Sequence, residues 1–574
     1  MKRRWRLGAV DEALKDIMAK GLNIMPVTAE LLINRGLVDV DRASRFLNPD
    51  LRQLHDPFLF KDMERAVERV LEAMKKREKI AVYGDYDVDG VTSSALLNLF
   101  FKESGVTALS YIPERRAEGY GLNCEAIKKL GAEGVSLIIT VDCGSSNAGE
   151  IKFAGSLGID VIVTDHHEPQ KQALAAYAFI NPKQATCPFP FKGLAGIGVA
   201  FNFVMALRAR LRDIGWFKAE APNLKKYLDL VCIGTIADMV PLLDENRVFV
   251  SLGLKELRET RNPGLKALQE ASFIDNRVVD AGGVAFQLAP RINAAGRVSS
   301  ASLALRLLTT TDHDEAASIA ESLNRDNFRR QRLEEDILIE ALAMVGDKPD
   351  NGIVLYSDKW HAGVIGIVAS RLSERFSRPA VLFSVENGVA KGSARAGIKT
   401  FDLLNGIAST GRFVERYGGH RAAAGLTVKA ENMDMFKREF LAHVNSTLTE
   451  YDLVPEMSID AMVPLAEINL RLATELLMLA PFGVANREPL LCLSDAEILE
   501  TAVVGNRHLR FKVRQYGGLW TGIGFGLAGL HPIKGDGFNV AFSPYLDEWQ
   551  GRKNVKLKIK DVQASGSVFF ERRA

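Results

Sequence analysis

Cysteine is scarce. Five are spread over 574 residues (Cys124, Cys143, Cys187, Cys232 and Cys492), without a Cys-x-x-Cys pair. That spacing excludes a thiolate zinc site and a disulfide scaffold, and points to a reduced, cytoplasmic protein. Long apolar runs are missing as well. The longest uncharged one, Gly193 to Leu207, falls short of the ~20 residues that a bilayer span requires. A secretory leader is not expected, because Asp11, Glu12, Lys15 and Asp16 follow Lys2-Arg3-Arg4 too closely. There is no internal repeat and no low-complexity segment. What remains is ordinary: 47% hydrophobic and 25% charged residues, which excludes a disordered chain and provides core for about three to five domains.

Net charge is also small, +2, but it is unevenly placed. Residues 501–574 carry 12 Lys and Arg against 5 Asp and Glu, whereas the remainder is mildly acidic. A basic tail on an acidic body suits a polyanion held at one end, or simply a solvated basic face.

Residues 1–60 read as a helical preface. From Lys79, apolar runs at Ile80–Tyr83, Ala108–Ile112, Ser136–Val141 and Asp160–Thr164 alternate with helix-length segments, the pattern of parallel βαβ units. A helical region follows over 197–260. Residues 312–345, charged and poor in Gly and Pro, predict one long exposed connector helix. A second α/β unit begins at Gly352–Tyr356, and beyond Pro481-Phe-Gly483 short alternating strands predict a small barrel. The expected segments are 1–60, 61–311, 312–345, 346–450 and 451–574.

Chemistry concentrates where strands end. Gly84-Asp-Tyr-Asp-Val-Asp-Gly90 places Asp85, Asp87 and Asp89 at the carboxyl edge of the first strand, where open α/β sheets bind ligands. Such crowding of like charge is costly unless cations neutralise it. A calcium loop is excluded, because no glutamate stands at its twelfth position. Two further strands deliver Asp142 and Asp165-His166-His167, and Asp238 lies in the otherwise apolar Gly234–Pro241. Oxygen and imidazole donors together suit Mn²⁺ or a similar divalent ion.

These motifs, in this order, resemble the DHH phosphoesterase superfamily. Ile112–Gly121, Pro290–Arg297, Trp360–Arg371, Lys391–Arg395 and Gly418–Gly425 extend the likeness over most of the chain to the RecJ exonuclease family within it. The resemblance implies a parallel-sheet DHH domain, a long helix, a second α/β domain of the DHHA1 type and an OB-like β-barrel. It also implies a cytoplasmic enzyme of DNA repair and recombination that degrades single-stranded DNA from the 5′ end to 5′-mononucleotides by two-metal hydrolysis with Mn²⁺ or Mg²⁺. The implied metal ligands are Asp87, Asp89, Asp142, His166 and Asp238. Asp85 would be a ligand or an acid behind the ligands, His167 would lie beside the scissile phosphate, and Asp165 joins them as a catalytic candidate. Single-stranded DNA is the expected partner, with single-strand-binding protein and recombination helicases beside it, and no membrane.

By the same resemblance Arg115, Arg297, Ser393 and Arg395 would read the terminal phosphate, since guanidinium forks match its oxygens in pairs. His420 is expected against the nucleotide, and His361 is weighed alike. The run Asn324–Gln331 either touches DNA or is a solvated helix face. In the tail, His508, Arg510, Lys512 and Arg514 alternate with Leu509, Phe511 and Val513, and Lys556, Lys558 and Lys560 repeat the pattern. Two basic-faced strands fit an oligonucleotide-binding barrel, although basic strands also guard sheet edges. The competing functions are a DHH phosphodiesterase for short oligoribonucleotides or cyclic dinucleotides, and a non-catalytic DNA-binding scaffold.

Overall fold

The computed structural model describes residues 3–115, 118–170, 172–274, 279–346, 349–549, 552–566 and 570–572. Its chain opens on a strand, β1 (Arg4–Leu7), followed by α1 (Glu12–Leu22), α2 (Pro26–Ile33) and α3 (Val40–Leu47). The helical preface expected over residues 1–60 is therefore led by a strand. Trp5 and Leu7 bury one face of it, and the Trp5 indole donates to Asp561 at 3.0 Å.

After α4 (Met63–Lys76) come β2 (Lys79–Gly84), α5 (Val88–Glu103), β3 (Leu109–Tyr111), α6 (Cys124–Ala132), β4 (Val135–Val141), α7 (Ala148–Ser156), β5 (Asp160–Thr164) and β6 (Ala178–Ile180). These strands form one parallel sheet in the order β3-β2-β4-β5-β6. Its central strands are buried on both faces, which is why they read as unbroken apolar runs. From β2 the chain moves first to β3 on one side and then to β4 on the other. The crevice between β2 and β4 is thus the switch point where open sheets bind ligands. Helices α8 (Gly196–Asp213), α9 (Leu228–Ala237), α10 (Asp244–Arg258) and α11 (Pro263–Ala271) pack beside it. A short α12 (Ala281–Gly283) passes through a π-helical turn into α13 (Ala289–Val298), then α14 (Ala301–Thr309).

The connector, α15 (His313–Val345), runs ~50 Å at 1.5 Å per residue. It is not simply exposed: Ala316, Ile319, Ala320, Leu323, Asn327, Glu334, Ile337 and Ala341 are buried along it. Its first half packs on α11, α13 and α14, and its second half on α16 (Ile365–Phe376). Around α16 lie β7 (Ile353–Ser357), β8 (Ala380–Glu386), β9 (Val389–Arg395), α17 (Leu403–Ala408), β10 (Val414–Gly419), β11 (Ala423–Lys429) and α18 (Met433–Thr447), with the sheet ordered β10-β11-β9-β8-β7.

The C-terminal part comprises β12 (Glu456–Ile459), β13 (Ala461–Met462), α19 (Leu470–Met478), β14 (Leu491–Val504), β15 (His508–Gln515), β16 (Gly518–Gly524), β17 (Gly535–Trp549), β18 (Arg552–Ala564) and β19 (Phe570–Arg572). Strands β14-β15-β16-β18-β17 close into a barrel through the β14–β17 pairing. Strand β1 lies between β12 and β19, and α1–α3 share one apolar core with α19 and the barrel. The N-terminal segment is therefore part of the barrel unit, and the catalytic-type sheet is inserted between the two halves of that unit.

Candidate metal centre and anion pocket

The carboxyl ends of β2, β4 and β5 bring their acids and imidazoles to one place. Asp87 caps α5, its carboxylate accepting from the Asp89 and Gly90 amides at 2.9 and 3.1 Å. The turn is tight because a Cβ on Gly90 would lie 2.5 Å from the Asp85 backbone. Asp142 takes a left-handed φ of 59°, a strained conformation of the kind that gathers at functional sites. Around it the His166 Nε2 lies 3.2 Å from Asp142 Oδ1, 3.5 Å from Asp238 Oδ2 and 4.0 Å from Asp89 Oδ2.

Four buried polar atoms there have no hydrogen-bond partner: Asp85 Oδ1, Asp142 Oδ1, His166 Nε2 and Asp238 Oδ2. Leaving one such atom unsatisfied costs ~1–3 kcal/mol, so four converging on one crevice mark a place built for cations. Donor atoms of Asp142, His166 and His167, of Asp89, His166 and Asp238, and of Asp85, Asp87 and Asp142 each lie within 4.8 Å of one another. Asp142 and His166 each belong to two of these sets. The donor set of oxygens plus imidazole fits Mn²⁺ or Mg²⁺.

The electrostatics agree. Burial first, then the charge of neighbouring aspartates, pushes Asp85, Asp142 and Asp238 well above the ordinary carboxylate range. Asp89 rises to about 7 by the same causes, although the Gly196 and Ile197 amides donate to it at 2.7 and 2.8 Å. Burial, then the neighbouring His167, lowers His166 to about 3, leaving its Nε2 neutral and free to ligate.

Asp165 differs from the other acids. It is fully buried and accepts from the Ser145, His166 and His167 amides and from His167 Nδ1 at 2.8 Å. Against the opposing effect of burial, these bonds and the two imidazoles hold its carboxyl below the usual range. Asp165, expected as a catalytic residue, accepts three bonds on Oδ1 and one on Oδ2, an arrangement that orients His167. Asp165 in turn outweighs burial and raises His167.

Two participants carried signals the sequence reading did not use. Tyr120 places its hydroxyl 3.1 Å from His167 Nδ1 and donates to the Asp142 carbonyl at 3.3 Å. The start of α8 meets Asp89 and Asp142, and a Cβ on Gly196 would come within 2.7 Å of Asp142 Oδ1. The paired glycines Gly196 and Gly198 opening an apolar helix were the available clue.

A second constellation forms where the two lobes meet. Arg297, at the end of α13, donates to the Gly363 carbonyl just before α16 at 3.0 Å. Burial, then Arg115, Arg330 and Arg395, lowers it to about 10, outweighing the opposite effect of Asp87. Arg395 is lowered by burial and by Arg115; it donates to Ser393 Oγ at 3.3 Å. Arg115 itself is exposed and stacks over the Tyr86 ring at 5.0 Å. A Cβ on Gly366 would lie 2.8 Å from Ser393 Oγ, so the first turn of α16 closes the same pocket. His420 is exposed, and its amide bonds the carbonyl of Ala423, the residue opposite Arg395 in the sheet. His361 accepts from the Gly363 amide at 3.1 Å. The run Asn324–Gln331 is mostly structural: Asn324 accepts from Arg291, Asp326 from Ser299, and Asn327 is buried.

In the barrel, Leu509, Phe511 and Val513 point into the core while Arg510, Lys512 and Arg514 are exposed. Acids offset most of that charge. Lys512 meets Glu500, Arg514 meets Glu497, Lys556 meets Asp547, and Lys558 and Lys560 share Glu488. Arg510 pairs with no acid among the described residues.

Three family models match the chain: the DHH family N-terminal domain over residues 79–235, the DHHA1 domain over 350–448 and the RecJ OB domain over 459–561. The chain is 37% identical over 580 residues to the single-stranded-DNA-specific exonuclease RecJ of Bacillus subtilis, all of this chain and 72% of that protein. Against the RecJ of Escherichia coli identity is 36%, covering 94% and 96% of the two. The crystal structure of Thermus thermophilus RecJ in complex with Mn²⁺ superposes with a TM-score of 0.85 at 32% identity, covering 99% of this chain and 80% of that one.

Proposed function

Because the chain belongs to the RecJ family of single-stranded-DNA-specific exonucleases, we infer that it hydrolyses single-stranded DNA from the 5′ end and releases 5′-mononucleotides. The observation that carries this reading is the pairing of the two constellations: orphaned donors gathered for cations at the β2–β4 crevice, and guanidiniums where the lobes meet. An anion pocket beside the cleaving site suits an enzyme that begins at a terminal phosphate.

Asp85, Asp87, Asp89, Asp142, His166 and Asp238 would hold two divalent ions, Mn²⁺ or Mg²⁺. Bound there, the ions neutralise phosphate charge and allow water to act as nucleophile at neutral pH. The remaining steps fall to the chain. Arg115, Arg297, Ser393 and Arg395 grip the terminal phosphate and fix the register of the cut; the first turn of α16 walls the pocket beside Ser393. His167, its Nδ1 fixed by Asp165 and favoured as imidazolium, presents Nε2–H to the scissile phosphate or to the departing 3′ oxygen. Each cut then leaves a new 5′-phosphate for the same pocket.

The barrel would trail the strand, with Arg510 among the cations that pair with no acid among the described residues. Single-strand-binding protein and recombination helicases are proposed as partners because both handle the same single strands. No helix among the described residues is long and apolar enough to cross a membrane, and the five free cysteines suit a cytoplasmic setting. Incubating the protein with 5′- or 3′-labelled single strands, duplex and RNA, with Mn²⁺ or EDTA, tests the reading. Labelled mononucleotide should appear at once from the 5′ label and last from the 3′ label. The reverse order overturns the polarity, and EDTA-resistant release overturns the metal centre.

A further inference from the structure

Buried carboxylates on a connector helix are uncommon, because a leucine in the same place costs less. Glu334 is such a residue. Its side chain is 3% exposed, on α15, and two guanidiniums lie against it: Arg330 of the same helix donates to Oε2 at 2.6 Å, and Arg371 of α16 forms an ion pair with Oε1 at 2.7 Å without hydrogen-bond geometry. Arg330 is tied further to the buried Asn327 at 2.8 Å, and its Nε is buried without a partner. Arg371 lies on α16, against which the second half of α15 packs, with half its side chain exposed.

What this linkage fixes is α16. That helix is held near its start by Arg297, through the Gly363 carbonyl, and in its middle by Glu334, through Arg371. Its first turn abuts Ser393 and Arg395, while Arg297 and Arg115 come from the other lobe. Arg330 sits close enough to Arg297 to depress its pKa. The spacing of the two halves of the anion pocket therefore depends on how α16 seats against α15.

We propose that Glu334 is a positioning residue for the terminal phosphate: its one buried carboxylate, joining Arg330 and Arg371, sets the distance between Arg297 and the Ser393–Arg395 pair. This rests on the terminal-phosphate reading of that pocket. Glu334 touches neither substrate nor ions, so its effect should fall on end recognition alone.

The test compares full-length wild type, Glu334→Gln and Arg371→Ala in Mn²⁺, on one oligonucleotide bearing either a 5′-phosphate or a 5′-hydroxyl. Arg371→Ala guards against a folding failure of the buried variant. Each variant should lose roughly 3- to 10-fold of the preference for the phosphorylated end, as expected for coupling through a packed network. The loss should appear as a higher KM on that end. Turnover of the 5′-hydroxyl substrate and the Mn²⁺ concentration for half-maximal activity should not move. Unchanged preference, or an equal fall on both ends, overturns the proposal. Arg297→Ala separates the two levels: if it too leaves preference unchanged, the pocket reading fails; if only it changes preference, Glu334 has no such part.

Discussion

Replacing Asp142 with asparagine tests the metal centre, because it removes one charge and almost no volume. Asparagine tolerates the left-handed φ of 59° at this position, and the closeness of Gly196 leaves room for nothing larger. Asp142 shares a 4.8 Å neighbourhood with Asp85 and Asp87 on one side and with His166 and His167 on the other. Two like charges at that distance repel by ~3 kcal/mol at an effective dielectric of about 20. Protonation relieves part of this, so relief of about 1–3 kcal/mol is expected in the metal-free protein above neutral pH. At about 2–4 °C per kcal/mol for a lobe of this size, the variant should melt about 2–12 °C above wild type in EDTA. With Mn²⁺ the order should invert. An ion present at 100 times its Kd adds ~2.7 kcal/mol to wild type, whereas the variant has lost one of the ligands. Nucleotide release should fall by roughly 100-fold or more. Thermal melts of both proteins in EDTA and in Mn²⁺, beside a single-strand digestion assay, are sufficient. The same stability order in both conditions, or ordinary turnover by the variant, would refute the assignment.

Arg297→Ala and Arg395→Ala should each lower the kcat/KM ratio for 5′-phosphate over 5′-hydroxyl ends by tenfold or more, since a charge-assisted contact is worth ~1.5–3 kcal/mol; equal ratios would place the phosphate elsewhere. Gly196→Ala puts a methyl 2.7 Å from Asp142 Oδ1 and should raise the Mn²⁺ concentration for half-maximal activity by roughly 10- to 100-fold. Arg510→Ala should flatten the plot of log affinity against log salt for a long single strand by about 0.7, with smaller changes for the acid-paired Lys512 and Arg514; identical slopes would remove the barrel from the DNA track. Away from the site, burial raises Glu245 to about 7 although the His55 amide and Asn202 donate to it. A carboxyl raised in the fold contributes stability that is complete below its unfolded value near 4.5 and is lost as pH climbs through 7. Denaturant unfolding at pH 5 and pH 8 should therefore show wild type losing up to roughly 3 kcal/mol relative to Glu245→Gln, and parallel behaviour would count against this.

The acidic loop, Asp142 and the Asp-His-His tripeptide were legible because each closes an unbroken apolar run, so that buried strands in a parallel sheet suffice to bring them together. What sequence could not disclose were relations set by register and by long range. Glu497 and Glu500 face Arg514 and Lys512 only because β14 and β15 pair as they do, and that pairing turns a basic stripe into a nearly neutral one. Asp165 and Asp142 look alike at their strand ends; only the amides aimed at one, and the unpaired oxygen of the other, set them apart. Glu334 resembled any acid on a charged helix until α16 was seen to cover it. Arg4–Leu7 carries too few residues to announce a strand whose neighbours lie beyond residue 450.

That strand has a consequence for the order in which the molecule can be made. Trp5 meets Asp561 across 556 positions, and α2 is fastened to α19 through Glu475, which accepts from Met25 and Thr28. During synthesis at ~5–20 residues per second, the segment 4–47 waits on the order of half a minute for these partners. The inserted lobes, whose contacts are nearer in sequence, can condense meanwhile, and the barrel unit closes last around both ends of the described chain. Shortening the protein from the C-terminal side near residue 480 would therefore take β19 from β1 and bare the apolar face of α19 that packs on β17 and β18, so a deletion there perturbs far more than the strands it removes.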